Sequence, residues 1–456
     1  MSERSTSGQP PNSDELAAAL WASYGRLTVD DLPPEAVEVA RHCILDWLGC
    51  TVAGSTEPLA GLLRDELGEV PGPATVIGTS STTGMLQAAM INGATGHALD
   101  FDDTHTGMGG HPSVPVLPAL LALAETTGAS GAEVVAAFVT GMEIQCRLGD
   151  AIGGGHYARG WHKTSTIGVF GAAAACARLL GLDEEAFGNA LGLAASNAAG
   201  LKANFGTMTK PYHAGHAAER GLLAARLASR GYTADHRAVG GRQGLAEAAG
   251  DGALRPDRLV GLGERWLIRD TLFKFHAACY LTHAGIEATR AVVVERSLAP
   301  EDIESVTVEV HPSLLDVCNI QHPTTGLEAK FSLRATQAFA VHGVDTARVD
   351  TFEDGPINEP AIQKLLDRVT VTTDPALTTT ATRVAVATTD GAVSGRFHDA
   401  GVPAADLDAQ WEALAAKFGA LAGPVLGEEA AARAVIAVRG VEQLPEVRVG
   451  SMLGGQ

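Results

Sequence analysis

Aromatic side chains are scarce in this chain. Only 5% of its 456 residues are Phe, Trp or Tyr, whereas glycine alone accounts for 53. A core with few large rings is filled by small residues. Alanine and glycine let helices approach closely, so a tightly packed, mainly helical protein is expected. Positive charge is also in short supply. Lys and Arg number 33 against 53 Asp and Glu, a formal charge of −20. That balance disfavours nucleic acid and anionic membrane as partners, but leaves a small anionic substrate open, because a site can be locally basic inside an acidic protein. Cysteine is limited to Cys43, Cys50, Cys146, Cys176, Cys279 and Cys318. None forms a CxxC pair and most sit in apolar helical contexts, so reduced, buried thiols in a cytoplasmic protein are expected. No apolar run reaches the length of a membrane span. The N-terminal MSERSTSGQPPNS is polar, so a signal peptide is not expected. No repeat or low-complexity tract is visible.

What is present is a chain 46% hydrophobic, enough for a large core and for two domains. Residues 1–11 read as disordered. Asn12 with Glu15 resembles a capping box opening a helix through Ala22, and a second helix is expected after Pro34, with Ala36, Val39, Ile44, Trp47 and Leu48 on one side. Residues 115–126, 131–150, 165–181, 183–195 and 214–230 also read as helices. The texture changes beyond residue 270. Ser305–Val310 and Arg383–Thr388 alternate with period two, Val369–Thr372 suggests a further strand, and Asp390-Gly391 signals a hairpin into Ala392–Phe397. Helices are expected among them at about 280–297, 327–343 and 359–368. The expected organisation is mainly α. A large helical domain, 12–271 plus 406–456, carries a smaller inserted α+β lid domain, 272–405.

The densest chemistry lies in Gly96–Pro118, GHALDFDDTHTGMGGHPSVPVLP. It holds Asp100, Asp102 and Asp103 with His97, His105 and His111. Glycines and prolines forbid one regular helix here. So many titratable groups are costly to bury unless paired, so the stretch reads as a catalytic or metal-binding loop. Four further segments combine basic residues with Gly, Pro and Thr. Gly160–Thr166 precedes a Gly/Ala-rich helix whose N-terminus suits a carboxylate. Lys202–Gly215 places Lys210 and His213 on a constrained loop entering a helix. Lys274–Tyr280, with His283, lies at the expected domain junction, where ligand pockets are common. Asn319–Lys330 passes from loop to helix. Individually His97, His105, His216 and His283 read as structural.

The segments HALDFDDTH…HPSVPVLPALLALAE, GWHKTSTIGVFGAAAACARLLGL, GLKANFGTMTKPYHAGHAAERG, KFHAACYLTHAGIEA and HPTTGLEAKFSLRA together resemble the MmgE/PrpD family over roughly residues 12–450. That family includes 2-methylcitrate dehydratases, cis-aconitate decarboxylases and iminodisuccinate epimerases. The resemblance implies a helical domain with an α+β lid, a homodimer, and neither metal nor organic cofactor. It implies Asp100, His111, His162, Lys210 and Lys274 as catalytic positions. Asp103, Thr104, Lys163, Thr164, Ser165, His213, Cys279, His283 and Val317 are the expected substrate-binding positions. Cys279 and Val317 fall where the decarboxylase pattern has histidine and tyrosine, which speaks against decarboxylation. GLKANFGTMTKP looks more like the epimerase branch than the usual dehydratase.

Dehydration, decarboxylation and epimerisation of a polycarboxylate all place negative charge alpha to a carboxylate. Each needs a base, a cationic or N–H stabiliser and an acid. Lysines and helix N-termini would clamp carboxylates, His111 and His162 would move protons, and Asp100 would orient a histidine. The leading expectation is a cofactor-independent, dehydratase-type lyase on a small di- or tricarboxylate, with a dicarboxylate epimerase next. A metal-dependent hydrolase using Asp100, Asp102, Asp103, His105 and His111 as ligands is the rival from another class. A ligand-binding protein without activity is a third reading, against which the five catalytic positions stand.

Overall fold

Residues 10–455 are described by a computed structural model. The expected disordered segment 1–11 therefore falls almost wholly outside the described residues. Asn12 and Glu15 do bond reciprocally. The Asn12 Oδ1 accepts from the Glu15 N–H at 3.1 Å, and the Glu15 carboxylate accepts from the Asn12 N–H at 3.3 Å. The first regular helix starts one residue after this box, at Leu16, and runs to Tyr24.

The protein is mainly helical with a smaller α+β part. It divides into two units, one comprising residues up to Ala98, Asp102–Phe273 and Pro403 onward, the other Leu99–Phe101 and Lys274–Val402.

Helices of the first unit begin where their sequences supply a start. Pro34 opens Pro34–Gly54 and Pro58 opens Pro58–Leu67, since the fixed φ of proline suits the first turn and its missing N–H is not needed there. Ser130 and Glu133 form a capping box for Gly131–Ala151, and Asp183 caps Glu184–Ser196. Gly131–Ala151 is buried on nearly every face and forms the centre of the unit. Small residues set the helix spacing. A Cβ on Gly93 would lie 2.7 Å from the Gly215 Cα, and one on Gly221 2.4 Å from the Ala172 Cβ. Helices Met85–Gly96, Gly168–Leu179 and Thr209–Ala228 therefore pack backbone against backbone, as the scarcity of large side chains implied.

Two expected elements differ in detail. The helix over 165–181 is two pieces, Lys163–Thr166 and Gly168–Leu179, broken at Ile167. Lys210 and His213, expected on a loop, already lie in helix Thr209–Ala228. Pro211 is its third residue, where proline costs no intrahelical bond.

The second unit holds a four-stranded sheet in the order Val369–Thr373, Ile303–Val310, Ala381–Thr388, Val393–Asp399. The first pair is parallel, with Val306 opposite Val369. The other two are antiparallel, with Val308 opposite Val384 and Val384 opposite Arg396. Val306, Val308, Val310, Val384 and Val386 are buried, which explains the period-two alternation. Helices His283–Arg296 and Leu333–Val341 pack against the sheet. Gly391 takes φ +87° in the hairpin turn expected at Asp390-Gly391. Among the described residues, no helix is long and apolar enough to cross a membrane.

Candidate active site

In the helical unit, the irregular stretch after helix Met85–Gly96 ends where Ser113–Thr127 begins. Asp102 is fully buried within it and faces two histidines. His97 Nδ1 lies 2.8 Å from Asp102 Oδ1, and His111 Nδ1 lies 3.2 Å from Asp102 Oδ2. Burial alone would push the Asp102 carboxyl up. The charges and ring hydrogen bonds of His111 and His97 outweigh it, and the net displacement is downward. An ionised Asp102 accepts from the His97 Nδ1–H through Oδ1, while Oδ2 faces His111 Nδ1 as a nearby charge. With its Nδ1–H on Asp102, a neutral His97 ring presents an unprotonated Nε2, the atom that takes a proton in a base. Burial lowers His97 to about 4 despite Asp102, with His111 and Lys210 adding to the effect.

The sequence reading gave the histidine-orienting role to Asp100. In the structure Asp102 bonds His97 Nδ1 at 2.8 Å.

A second pair stands beside the first. His162 Nδ1 lies 3.1 Å from His213 Nδ1. The His97 and His162 rings stack with centroids 6.1 Å apart, and His97 and His111 meet edge to face at 4.4 Å. Burial, then Lys210 and the surrounding histidines, drive His162 well below its ordinary value. Burial, His216 and Lys210 bring His213 to about 4. Two neutral rings in Nδ1–Nδ1 contact share one proton and must adopt opposite tautomers. One then offers Nε2–H and the other a bare Nε2, an acid and a base side by side. Phe205 packs edge-on against His162 at 4.8 Å and carries the Lys210 ammonium 5.3 Å from its ring centre.

The backbone explains the placement. His162 donates its N–H to the Gly200 carbonyl at 3.0 Å, and the His111 N–H donates to Thr164 Oγ1 at 3.1 Å. Gly200 has φ +124°, and a Cβ there would lie 3.0 Å from Ser165 and 3.3 Å from the His213 ring. Only glycine fits that approach. Ser165 Oγ and His97 Nε2 are buried and have no hydrogen-bond partner among the described residues. Buried polar atoms are seldom left so, and both are suited to meeting a ligand oxygen.

Several expected site residues are engaged elsewhere. The Lys163 ammonium donates to the Gly149 carbonyl at 2.7 Å, and burial lowers its pKa to about 8. The N–H groups of Ser165 and Thr166 donate to the His162 carbonyl, so the short helix there closes on itself. Asp103 bonds the N–H and hydroxyl of Ser113, and burial with the nearby Asp46 raises it to about 8. Asp46 in turn pairs with Lys417 at 2.6 Å. Thr104 exchanges backbone bonds with Leu272. His105 is a structural histidine, its Nε2 on the Leu267 carbonyl and its Nδ1 accepting from Met108 N–H. The five-residue ligand set of the metal hydrolase is therefore not assembled, since Asp103 and His105 point to other partners. His97, Asp102 and His111 do offer ligand atoms within 4.8 Å of one another, a set that could hold a divalent cation.

In the second unit, Lys274 is 2% exposed. Its ammonium donates to the Asp100 carbonyl at 2.6 Å and to Asp100 Oδ1 at 3.2 Å. Asp100 has φ +53°, a left-handed conformation that aspartate tolerates better than most residues. Cys279 is buried. His283 opens its helix with Nε2 toward the Ala278 carbonyl at 3.3 Å, against the rings of His276 and Tyr280. Val317 is exposed just after the turn Pro312–Asp316.

His97 read as structural and Asp102 only as a metal ligand. No periodicity in an irregular loop says which carboxylate meets which ring. The spacing His97-x4-Asp102 was the sole available signal.

Residues 20–255 match the MmgE/PrpD N-terminal domain and residues 276–443 the MmgE/PrpD C-terminal domain. The chain is 34% identical to a cis-aconitate decarboxylase of Aspergillus terreus over 285 residues, 59% of this chain and 58% of that protein. It is 32% identical to the human cis-aconitate decarboxylase over 379 residues, 75% and 73% of the two chains. It is 26% identical to the 2-methylcitrate dehydratase of Cupriavidus necator over 405 residues, 83% and 81%. The match thus spans less than two thirds of the fungal relative.

Proposed function

The chain belongs to the MmgE/PrpD family, and from that premise we propose that it is a lyase acting on a small polycarboxylate through a carbanion alpha to a carboxylate. The observation that carries this reading is the histidine quartet in the helical unit. Asp102 hydrogen bonds His97 and lies 3.2 Å from His111 as a charge, and the His162–His213 contact pairs a donor with an acceptor. Removing an alpha proton and delivering one elsewhere requires both functions.

In this reading His111 Nε2 abstracts the proton, with Asp102 stabilising the imidazolium. The His162–His213 pair supplies the proton to the leaving group, and Ser165 Oγ contacts a substrate oxygen. Lys210 holds a carboxylate by charge. Lys274 and Asp100 keep the roles the family implies for them. No metal or organic cofactor is needed in the scheme, because the carbanion is stabilised by cations of the chain.

Dehydratase-type elimination is the favoured reaction. Cys279 and Val317 depart from the decarboxylase pattern, and the dehydratase relative matches 83% of this chain. Decarboxylation is the second reading, favoured by the 32–34% identity to proteins of that name. Epimerisation of a dicarboxylate remains the isomerase alternative. A homodimer in the cytoplasm is proposed as its setting, on the family resemblance.

The test is incubation with citrate, 2-methylcitrate, cis-aconitate and iminodisuccinate in heavy water, followed by proton NMR, with and without exhaustive chelation. Loss of water with chelator present is the expected result. Loss of carbon dioxide supports the second reading, and exchange without net turnover supports epimerisation. Activity abolished by chelation and restored by a divalent ion would overturn the cofactor-independent scheme and point to the His97–Asp102–His111 set as a metal site.

A further inference from the structure

Asp102 turns each of its carboxylate oxygens toward an imidazole nitrogen. Oδ1 lies 2.8 Å from His97 Nδ1, and Oδ2 lies 3.2 Å from His111 Nδ1. The two rings meet edge to face with centroids 4.4 Å apart. The three side chains offer ligand atoms that all lie within 4.8 Å of one another. A tetrahedral ion bonded to nitrogen and oxygen at about 2.0–2.2 Å holds neighbouring ligand atoms about 3.3 Å apart. The His111–Asp102 separation already matches that edge. The His97–Asp102 contact has to open by about half an ångström to reach it.

The surroundings fix this group in place. The His97 N–H donates to the Ala94 carbonyl at 3.3 Å, at the end of helix Met85–Gly96. The Gly110 carbonyl accepts from the His105 N–H at 3.0 Å and from Thr104 Oγ1 at 3.2 Å, which holds the chain just before His111. Asp102 and His97 are buried, and Asp102 Oδ2 and His97 Nε2 have no hydrogen-bond partner among the described residues. A buried carboxylate oxygen in that state is short of a proton or a cation. His111 is partly exposed, so its side of the group is open to an incoming ion.

Neighbouring groups are committed to other partners, Asp103 to Ser113, His105 to the Leu267 carbonyl and His162 to His213. The donor set is therefore two imidazoles and one carboxylate. Such a set suits borderline ions of the zinc type, whereas magnesium and calcium prefer oxygen throughout. Three protein ligands leave one coordination position for water or another oxygen.

We propose that His97, Asp102 and His111 form a binding site for a zinc-type divalent cation, and that its occupancy switches off the lyase site. Coordination through Nδ1 leaves the single proton of each neutral ring on Nε2. His111 Nε2 then carries a hydrogen and accepts no proton, and Asp102 is withdrawn from His97. The inhibition rests on the lyase reading above, while the binding does not.

The test uses untagged full-length protein, freed of metal with a chelator that is then removed, and titrated with cobalt(II) in the absence of substrate. The expected result is one cobalt per chain with the visible absorption of a four-coordinate ion, displaced by zinc but not by magnesium. Asp102→Asn and His111→Ala should each weaken binding by more than about a hundredfold, beyond the loss seen when only a ligand's hydrogen-bond partner is changed. His322→Ala, at an exposed histidine, should leave it unchanged. A zinc-soaked crystal of the unaltered protein should show an anomalous peak against His97, Asp102 and His111, which depends on no variant folding. With the substrate that the protein turns over, zinc should inhibit at the midpoint at which it binds, and chelator should restore the rate. The site is overturned by the absence of stoichiometric binding, by unchanged affinity in both variants, or by thiolate-to-cobalt absorption that places the ion on cysteine. Turnover unaffected or raised by bound zinc would overturn the inhibition. Binding as expected in a protein that turns over none of the four candidate substrates would count against the lyase reading and not against the site.

Discussion

His162 and His213 meet through their Nδ1 atoms at 3.1 Å, so the protonation of one ring dictates that of the other. Removing His213 frees the His162 tautomer and lifts a neighbouring charge that depresses its pKa. His213→Ala should lower kcat/KM by about tenfold or more. The acidic limb of its pH profile should move up, toward the ordinary histidine value near 6.5. A drop in rate with an unmoved limb would mean that His213 acts only by packing.

Asp102→Asn tests the orienting carboxylate. An amide that turns its N–H toward His97 Nδ1 forces the wrong tautomer on that ring, and the negative charge 3.2 Å from His111 is lost. The expected loss in kcat is about a hundredfold to ten-thousandfold, the scale for replacing an aspartate that orients a catalytic histidine. Near-normal turnover in a folded Asp102→Asn protein would remove His111 from the base role.

Asp103 supplies a test of stability against pH. Its folded pKa, about 8, lies above the unfolded value near 3.9. The folded protein therefore holds a proton that the unfolded chain releases, and stability falls as pH rises from about 4 to about 8. Asp103→Asn keeps both contacts with Ser113, since its amide oxygen accepts and its N–H donates. The variant should gain in melting temperature relative to the parent at pH 8 compared with pH 5. Equal differences at the two pH values would show that Asp103 is ionised in the folded protein.

His97 and His213, both near 4, carry the opposite slope. Their unfolded forms bind protons below about pH 6.5 that the folded forms refuse. Stability should therefore fall as pH drops from about 6.5 toward 4. Denaturation followed at pH 7 and pH 5 should show the loss, and His97→Gln should reduce it. An unchanged midpoint between the two pH values would contradict the neutral assignment of these rings.

Lys274→Met removes the cation that bonds both the carbonyl and the carboxylate of Asp100. Breaking a buried pair by truncating one partner costs about 3–5 kcal/mol, and the partial exposure of Asp100 reduces this to roughly 2–4 kcal/mol. Chemical denaturation would measure it. A change below about 0.5 kcal/mol would show that the pair is solvated.

Much of the architecture was legible in the chain. Proline at the first turn of Pro34–Gly54, Ser130 with Glu133, and the alternation Val306, Val308, Val310 each encode a local start or face through backbone chemistry that needs no distant partner. Lys163 shows where such reading ends. Its position in a basic, helix-opening segment suggested a ligand contact, but its ammonium is drawn to the carbonyl end of Gly131–Ala151, which only the packing of two helices brings near. Asp103 looked equivalent to its neighbours in DFDD and is instead a buried partner of Ser113.

The sequence by itself determined the mainly helical composition, the alternating strands after residue 270, the family and the residue types able to move protons and bind carboxylates. These follow from local periodicity, caps and motifs. Tertiary structure alone decided that Asp102 bonds His97, that His162 and His213 meet through Nδ1, and that Lys274 bonds Asp100. Those pairings join residues from different segments. Their geometry and burial are set by how helices and strands pack, and burial is what turns an ordinary carboxyl, imidazole or thiol into a group with a displaced pKa.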